Sequence, residues 1–89
     1  MRAKLITYKK ENLNNSERSI ISKSLFGYID KSNRGKYSYE RKGLLNLFKH
    51  IKVSNNTFII EQKGWSKIKE FLEKSGIKAK TWNIEIAKL

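Results

Sequence analysis

The stretch "GWSKIKEFLEKSGIKAKTWNIEIAKL" (residues 64–89) decides the fold, because its hydrophobic pattern changes from a helical period to a strand period. Apolar side chains recur on one helical face at Trp65, Ile68, Phe71 and Leu72. Glu70 stands four residues before Lys74, a spacing at which the two charges support a helix. Gly76 predicts the end of this helix.

The second half of the stretch, "AKTWNIEIAKL" (residues 79–89), alternates between apolar and polar positions. Trp82, Ile84 and Ile86 share one face of the extended chain. Alternation over this length is typical of a half-buried strand. A helix followed by a strand therefore closes the chain.

The N-terminal half starts with a similar pair of elements in the opposite order. "AKLITYK" (residues 3–9) alternates, with Leu5 and Thr7 on one face and Ile6 and Tyr8 on the other, and it predicts a first strand.

A helix follows at "SERSIISKSLF" (residues 16–26). Asn14 precedes Glu17 by three residues, the spacing of a capping box. Its apolar stripe consists of Ile21, Leu25 and Ile29, with Ile20 beside it. Gly27 predicts the helix stop.

The middle of the chain reads mainly as strands. "KYSYER" (residues 36–41) places Tyr37 and Tyr39 on one face and predicts a strand, whereas "GLLNLF" (residues 43–48) is ambiguous. "HIKVSNNTFIIEQ" (residues 50–62) is typical either of two short strands around an Asn-Asn turn or of a loop leading into one strand.

This order predicts a single α+β domain over residues 1–89, with a ferredoxin-like βαββαβ sandwich in which two helices cover one face of an antiparallel sheet. The alternative is a winged helix. It would have helices at 16–26 and 41–49, a wing hairpin at 50–61 and a closing helix at 65–75.

Charge is the strongest indication of a partner. Twenty Lys and Arg residues oppose eight acids, a net charge of +12, which favours association with DNA, RNA, an RNA-rich assembly or an anionic membrane. A membrane span needs roughly 20 apolar residues, and the apolar segments here are short. No signal peptide is visible, so we expect no membrane partner and a cytoplasmic location.

Composition gives no support for catalysis. The chain has no cysteine, and His50 is its single imidazole. Asp30, Glu40 and Glu61 stand in separate segments without metal-site spacing, and no glycine-rich phosphate loop is present. We therefore expect a non-enzymatic protein without cofactor or metal. A metal-dependent nuclease built on those acids is a minor alternative.

The segment "RGKYSYERK" (residues 34–42) is similar to the strand motif of the RNA-recognition motif family, K/R-G-F/Y-G/A-F-V-x-F/Y, in which rings on a sheet stack bases. Arg34 and Gly35 match it, and Tyr37 and Tyr39 have the alternate spacing. Lys36 is an extra residue before the first ring, and the apolar residue and the final aromatic are missing, so we assign no family.

The size and element order also resemble the small ferredoxin-like CRISPR-associated subunit, whose first strand ends in Tyr-Asp. Here the strand ends in Tyr8 and Lys9, so a cation replaces the acid that would hold metal. The resemblance therefore implies no nuclease activity.

These observations predict a small basic nucleic-acid-binding protein (RNA or DNA), or an accessory subunit of a nucleic-acid-processing assembly. Its cations neutralise phosphates and its tyrosines stack on bases. The predicted contact residues are Lys9, Lys10, Lys31, Arg34, Lys36, Tyr37, Tyr39, Arg41 and Lys42. The opposing interpretation makes both tyrosines core rings within a solvated basic rim.

Further basic clusters add to the charge, at Arg2 and Lys4, at Lys49 and Lys52, and at Lys63, Lys67, Lys74, Lys78 and Lys80. Trp65 and Trp82 are interpreted as core or interface residues. The alternative function is a protein-interaction module, either a homodimer or a subunit that docks on a larger protein.

Overall fold

The computed structural model describes residues 1–9, 11, 13–32 and 34–89. Over these residues it is a small α+β structure with two α-helices and six antiparallel strands, which confirms the predicted class. The elements are β1 (Arg2–Tyr8), α1 (Asn15–Phe26), β2 (Tyr28–Ser32), β3 (Tyr37–Arg41), β4 (His50–Ser54), β5 (Thr57–Glu61), α2 (Trp65–Lys74) and β6 (Ala79–Glu85), with short 3₁₀ turns at Leu44–Leu47 and Gln62–Gly64.

Four of the strands form one antiparallel sheet in the order β4-β5-β1-β6. The predicted strand at residues 36–41 exists, but it lies outside this sheet and pairs with β2 as a separate hairpin. Two extra strands thus follow α1, so the strand order along the chain differs from that of a ferredoxin fold. Ile29, expected on the helical stripe, belongs to β2 because α1 stops at Gly27.

The winged-helix alternative is wrong. It required a helix over residues 41–49, where the structure has the end of β3 and a single 3₁₀ turn at Leu44–Leu47. Of the two alternatives for residues 50–62, the structure has the pair of short strands, β4 and β5, and not a loop leading into one strand.

One core holds the helices to the sheet. Alternate residues of β1 and β5 form the sheet side of this core, because side chains of a strand alternate between faces. Both helices and the first 3₁₀ turn pack against that side. The buried set is Ile6, Tyr8, Ile21, Leu25, Leu45, Phe58, Ile60, Ile68, Leu72 and Ile77. Burial raises the pKa of the Tyr8 hydroxyl, which donates a hydrogen bond to the carbonyl of Asn55 at 3.2 Å.

The helix signals in the sequence are confirmed. The Asn14 side chain accepts from the Glu17 amide at 2.8 Å, and the Glu17 carboxylate accepts from the Asn14 amide at 3.1 Å, which completes the capping box. Lys74 lies 2.8 Å from Glu70, and this contact lowers the pKa of the Glu70 carboxyl. No helix in the described part of the chain is long and apolar enough to cross a bilayer.

Candidate functional site

The hairpin of residues 28–41, here called the arm, projects from the folded core. Every described residue of β2 and β3 is exposed except the half-buried Asp30. The molecule measures 45 × 31 × 20 Å with a radius of gyration of 14.1 Å, against about 12 Å for a compact domain of this length. The arm is therefore a surface element that the core does not cover.

Three tyrosines share one face of the arm, here called the tyrosine face. The register pairs Tyr28 with Arg41, Asp30 with Tyr39, and Ser32 with Tyr37, and paired or alternate residues lie on the same side of a hairpin. The rings of Tyr28, Tyr37 and Tyr39 are 40%, 48% and 50% exposed. Tyr37 and Tyr39 are therefore not core rings.

Tyr28 was not singled out from the sequence, since its place opposite Arg41 depends on a strand that the sequence did not predict. The local feature that indicates Tyr28 is its position directly after Gly27, the residue at which the helix ends.

Each ring of the tyrosine face has a cation beside it. Lys23 Nζ lies 4.9 Å from the ring centroid of Tyr28, and Lys36 Nζ lies 5.8 Å from that of Tyr37. Arg41 Cζ lies 5.7 Å from the ring centroid of Tyr39. Cations at these distances are attracted to ring faces, so positive charge and flat apolar surface occur together along this face.

Arg41 is also paired with Asp30. Its Nε and Nη2 donate to Oδ2 of Asp30 at 3.3 and 3.2 Å. An exposed ion pair of this kind adds little stability, but it fixes where the guanidinium lies.

The opposite face of the arm has mixed chemistry. Ile29 pairs with Glu40 there, and Lys31 pairs with Ser38. The arm thus carries one carboxylate on each face, Asp30 on the tyrosine face and Glu40 on the other. Lys42 follows β3 and is exposed.

The tip of the arm holds an arginine in an unfavourable backbone conformation. Arg34 has φ = +57°, and Gly35 after it has φ = +83°. The Gly35 amide donates to the Ser32 carbonyl at 3.1 Å, which closes the turn. The left-handed region suits glycine and asparagine better than arginine, so turn geometry alone does not account for Arg34.

We expect Arg34→Asn to stabilise the protein by about 0.5–1 kcal/mol, because asparagine adopts the left-handed conformation more readily. Urea unfolding measures the change. Lys36→Asn is the matched control, since it removes the same charge in the same turn without a positive φ. Equal stabilities of the two variants would contradict the strain at Arg34.

The base of the arm is a crossing of two backbone segments at glycines. A Cβ built on Gly27 would strike the carbonyl oxygen of Arg41, and one built on Gly43 would strike the carbonyl of Leu25 and the amide of Gly27. Beside this crossing, Phe26 packs edge-on against the core ring of Phe58, with centroids 5.9 Å apart. This crossing sets the position of the arm relative to the core.

The remaining predicted contact residues do not join the arm. Lys9 follows β1 and lines a separate cleft of about 400 Å³ with Lys78, Lys80 and other residues. Lys10 lies outside the described residues. The structure thus groups Lys31, Arg34, Lys36, Tyr37, Tyr39, Arg41 and Lys42 on or beside the arm and places Lys9 elsewhere.

The candidate catalytic groups lie apart or are already engaged. Asp30 and Glu40 are on opposite faces of the arm. Glu61, in β5, accepts from the Lys49 amide at 2.7 Å and lies 3.6 Å from Lys63. His50 Nδ1 lies 3.0 Å from the carbonyl oxygen of Phe48. Within the described ranges, no three His, Cys, Asp or Glu residues are grouped so that they could hold a metal ion.

A second surface feature runs across the sheet on the face opposite the core. The strand registers place Ile51, Ile59, Leu5 and Trp82 side by side in one row, here called the apolar row. Ile51 and Trp82 at its two ends are exposed. Trp82 is therefore not a core residue. The row is not apparent from the sequence, because it depends on the pairing of four strands.

Comparisons with protein-family models, with curated proteins and with solved structures find no match to this chain. Its function is therefore inferred from these two surfaces, the arm and the apolar row.

Proposed function

We propose that this protein is a small, basic, non-enzymatic nucleic-acid-binding protein or an accessory subunit of a nucleic-acid-processing assembly, and that the arm is its contact element. The observation that carries the proposal is the tyrosine face, where three exposed rings each have a cation beside them. We also propose that the β4-β5-β1-β6 sheet with its two helices is a ferredoxin-like core into which the arm is inserted.

The chemistry of the arm suits a polyanion that also has flat apolar surfaces. Residues 28–43 contain five cations and two carboxylates, and the whole chain carries +12. Cations that neutralise phosphates release counterions, which drives binding. Exposed tyrosines add stacking, which tolerates any base because every base has a π face.

A purely structural role for the arm does not explain its exposed tyrosines and cations. A lone two-stranded hairpin is marginally stable in water, and this one exposes Tyr28, Ile29, Tyr37 and Tyr39. A binding partner would cover these side chains.

The proposal is tested by removing charge from the arm and, in a control, from elsewhere. The arm variant is Arg34→Gln/Lys36→Gln/Lys42→Gln, and the control is Lys67→Gln/Lys69→Gln/Lys88→Gln, three exposed lysines on α2 and near the C-terminus. Both variants lose three charges, so any difference between them reports position.

Fluorescence anisotropy with a labelled single-stranded RNA, duplex RNA and duplex DNA measures affinity. We expect the arm variant to bind about tenfold or more weakly than wild type, because each lost phosphate contact removes a counterion-release contribution. The control should stay within about threefold of wild type. Equal losses in the two variants would contradict the arm as contact element.

The apolar row favours a second candidate, a protein-interaction module. A two-fold axis would place the row of one copy on the same row of another, since such interfaces are self-complementary. A second copy is thus the simplest occupant. If wild type binds no nucleic acid, and sedimentation shows a dimer that persists at high salt, this candidate replaces the first.

A further inference from the structure

The spacing of two rings on the tyrosine face points to a more specific ligand. Tyr37 and Tyr39 are two residues apart in β3, so their Cα atoms are separated by about 6.8 Å along the strand. Arg41 is the next residue on that face, and its guanidinium lies over the ring of Tyr39 at 5.7 Å. Lys36, on the other side of Tyr37 along the chain, lies 5.8 Å from the centroid of the Tyr37 ring. From these two contacts we infer that both ring faces are directed along the strand.

Two rings that face along the strand from Cα atoms about 6.8 Å apart have a slot between them. Stacked bases are separated by about 3.4 Å. The spacing of about 6.8 Å is twice that distance, so one flat base would fit between parallel rings at Tyr37 and Tyr39. Because Arg41 follows Tyr39 along the strand and lies over its ring, we assign the ring face directed towards Tyr37 to the base.

A carboxylate stands beside this slot. Asp30 is the cross-strand partner of Tyr39, and Arg41 makes both of its hydrogen bonds to Oδ2 of Asp30. Oδ1 can therefore accept a further hydrogen bond. Carboxylates accept from exocyclic amino groups such as N4 of cytosine, whereas uracil and thymine present carbonyl oxygens at the equivalent position.

We propose that Tyr37 and Tyr39 hold one unpaired base between their rings, and that Asp30 selects a base with an exocyclic amino group. The ligand class is single-stranded nucleic acid, with the bases that carry an exocyclic amino group (cytosine, adenine and guanine) favoured over uracil or thymine at one position. This inference rests on the proposed function and specifies the ligand of the same site.

The geometry disfavours a duplex in this slot. A base inside a duplex has a neighbour about 3.4 Å away on each side, so no ring can stack on it without unstacking. A ribbon inserted in the major groove would also direct Asp30 or Glu40, one on each face of the arm, towards a phosphate backbone. A single strand that crosses the tyrosine face meets only Asp30, whose charge Arg41 offsets.

The stacking part of the proposal is tested with Tyr37→Leu/Tyr39→Leu against labelled ten-nucleotide RNA strands of cytosine, adenine or uracil, the corresponding DNA strands, and a duplex. We expect single-strand affinity to fall about tenfold or more, given the energy of base–aromatic stacking, with duplex affinity changed less than threefold. Tyr37→Phe/Tyr39→Phe keeps the rings and should bind as wild type does. A leucine variant that binds single strands normally overturns the slot.

The selection part is tested with Asp30→Ala. Wild type should bind cytosine or adenine strands about fivefold or more tightly than uracil or thymine strands, because the amino group gains a hydrogen bond to a carboxylate. Asp30→Ala should lower that ratio below about twofold. Glu40→Ala is the control, since it changes charge equally on the opposite face and should keep the ratio.

The outcomes separate this inference from the proposed function. Wild type that binds no nucleic acid refutes both. Wild type that binds with an affinity set by arm charge, but without dependence on the two tyrosines or on the base, refutes the slot and leaves the proposed function in place.

Discussion

Replacing Gly27 by alanine is expected to destabilise the protein by about 3–5 kcal/mol, through backbone strain and overpacking together. Gly27 has φ = +79° and ψ = −178°, a region that is essentially restricted to glycine. An added Cβ would also strike the carbonyl oxygen of Arg41 and lie 2.8 Å from the amide nitrogen of Gly43. Both obstacles are backbone atoms, which cannot rotate away as a side chain can.

Alanine substitutions at two other glycines distinguish backbone strain from steric overlap. Gly76 has φ = +70° with open space around its position, so Gly76→Ala should cost only the conformational term of about 1–2 kcal/mol. Gly43 has φ = −90°, and a Cβ there would meet the backbone of Leu25 and Gly27. Gly43→Ala therefore isolates the steric term.

Urea unfolding followed by tryptophan fluorescence and circular dichroism measures these changes. A chain of 89 residues has a total stability of about 4–13 kcal/mol, so Gly27→Ala removes a large part of it. If Gly27→Ala costs no more than Gly76→Ala, the crossing is not close-packed and the position of the arm is not fixed by these glycines.

Local signals predicted the elements whose patterns are complete within a few residues. The Asn14–Glu17 capping box, the Gly27 stop and the Glu70–Lys74 pair each involve residues at most four apart, and each is present. The alternation in β1 was also sufficient, because one face of that strand is buried.

The arm could not be placed in the same way. The alternation of Tyr37 and Tyr39 correctly predicted a strand, but it does not state which strand is the partner. The alternation suggested a strand of the main sheet, whereas the structure pairs it with β2, whose exposed residues show no burial pattern. Exposure of the tyrosines follows from that tertiary placement and not from their spacing.

Asp30 illustrates the same limit at the candidate site. From the sequence, Asp30 is only one of three acids considered for a metal site. The strand register pairs Asp30 with Tyr39. The structure also places Oδ2 of Asp30 3.2 Å from Nη2 of Arg41. Its proposed role in selecting a base therefore depends on pairing between strands that a single sequence does not specify.

Raising the salt concentration from 50 to 200 mM is expected to weaken single-strand binding by about 50-fold, if the four cations on or beside the arm other than Arg41 each neutralise one phosphate. Those cations are Lys31, Arg34, Lys36 and Lys42. Arg41 is left out of the count because Asp30 already offsets its charge. The corresponding slope of log affinity against log salt is about −2.8 for single strands.

The slope of the arm variant Arg34→Gln/Lys36→Gln/Lys42→Gln tests the assignment of these charges. One of the four counted cations remains in it, so the slope should fall to about −0.7 and the same change in salt should weaken binding only about threefold. Stacking on Tyr37 and Tyr39 releases few counterions, so the affinity that remains at high salt measures the contribution of the two rings. An unchanged slope would assign the phosphate contacts to cations elsewhere, with the cleft of Lys9, Lys78 and Lys80 as the next surface to vary.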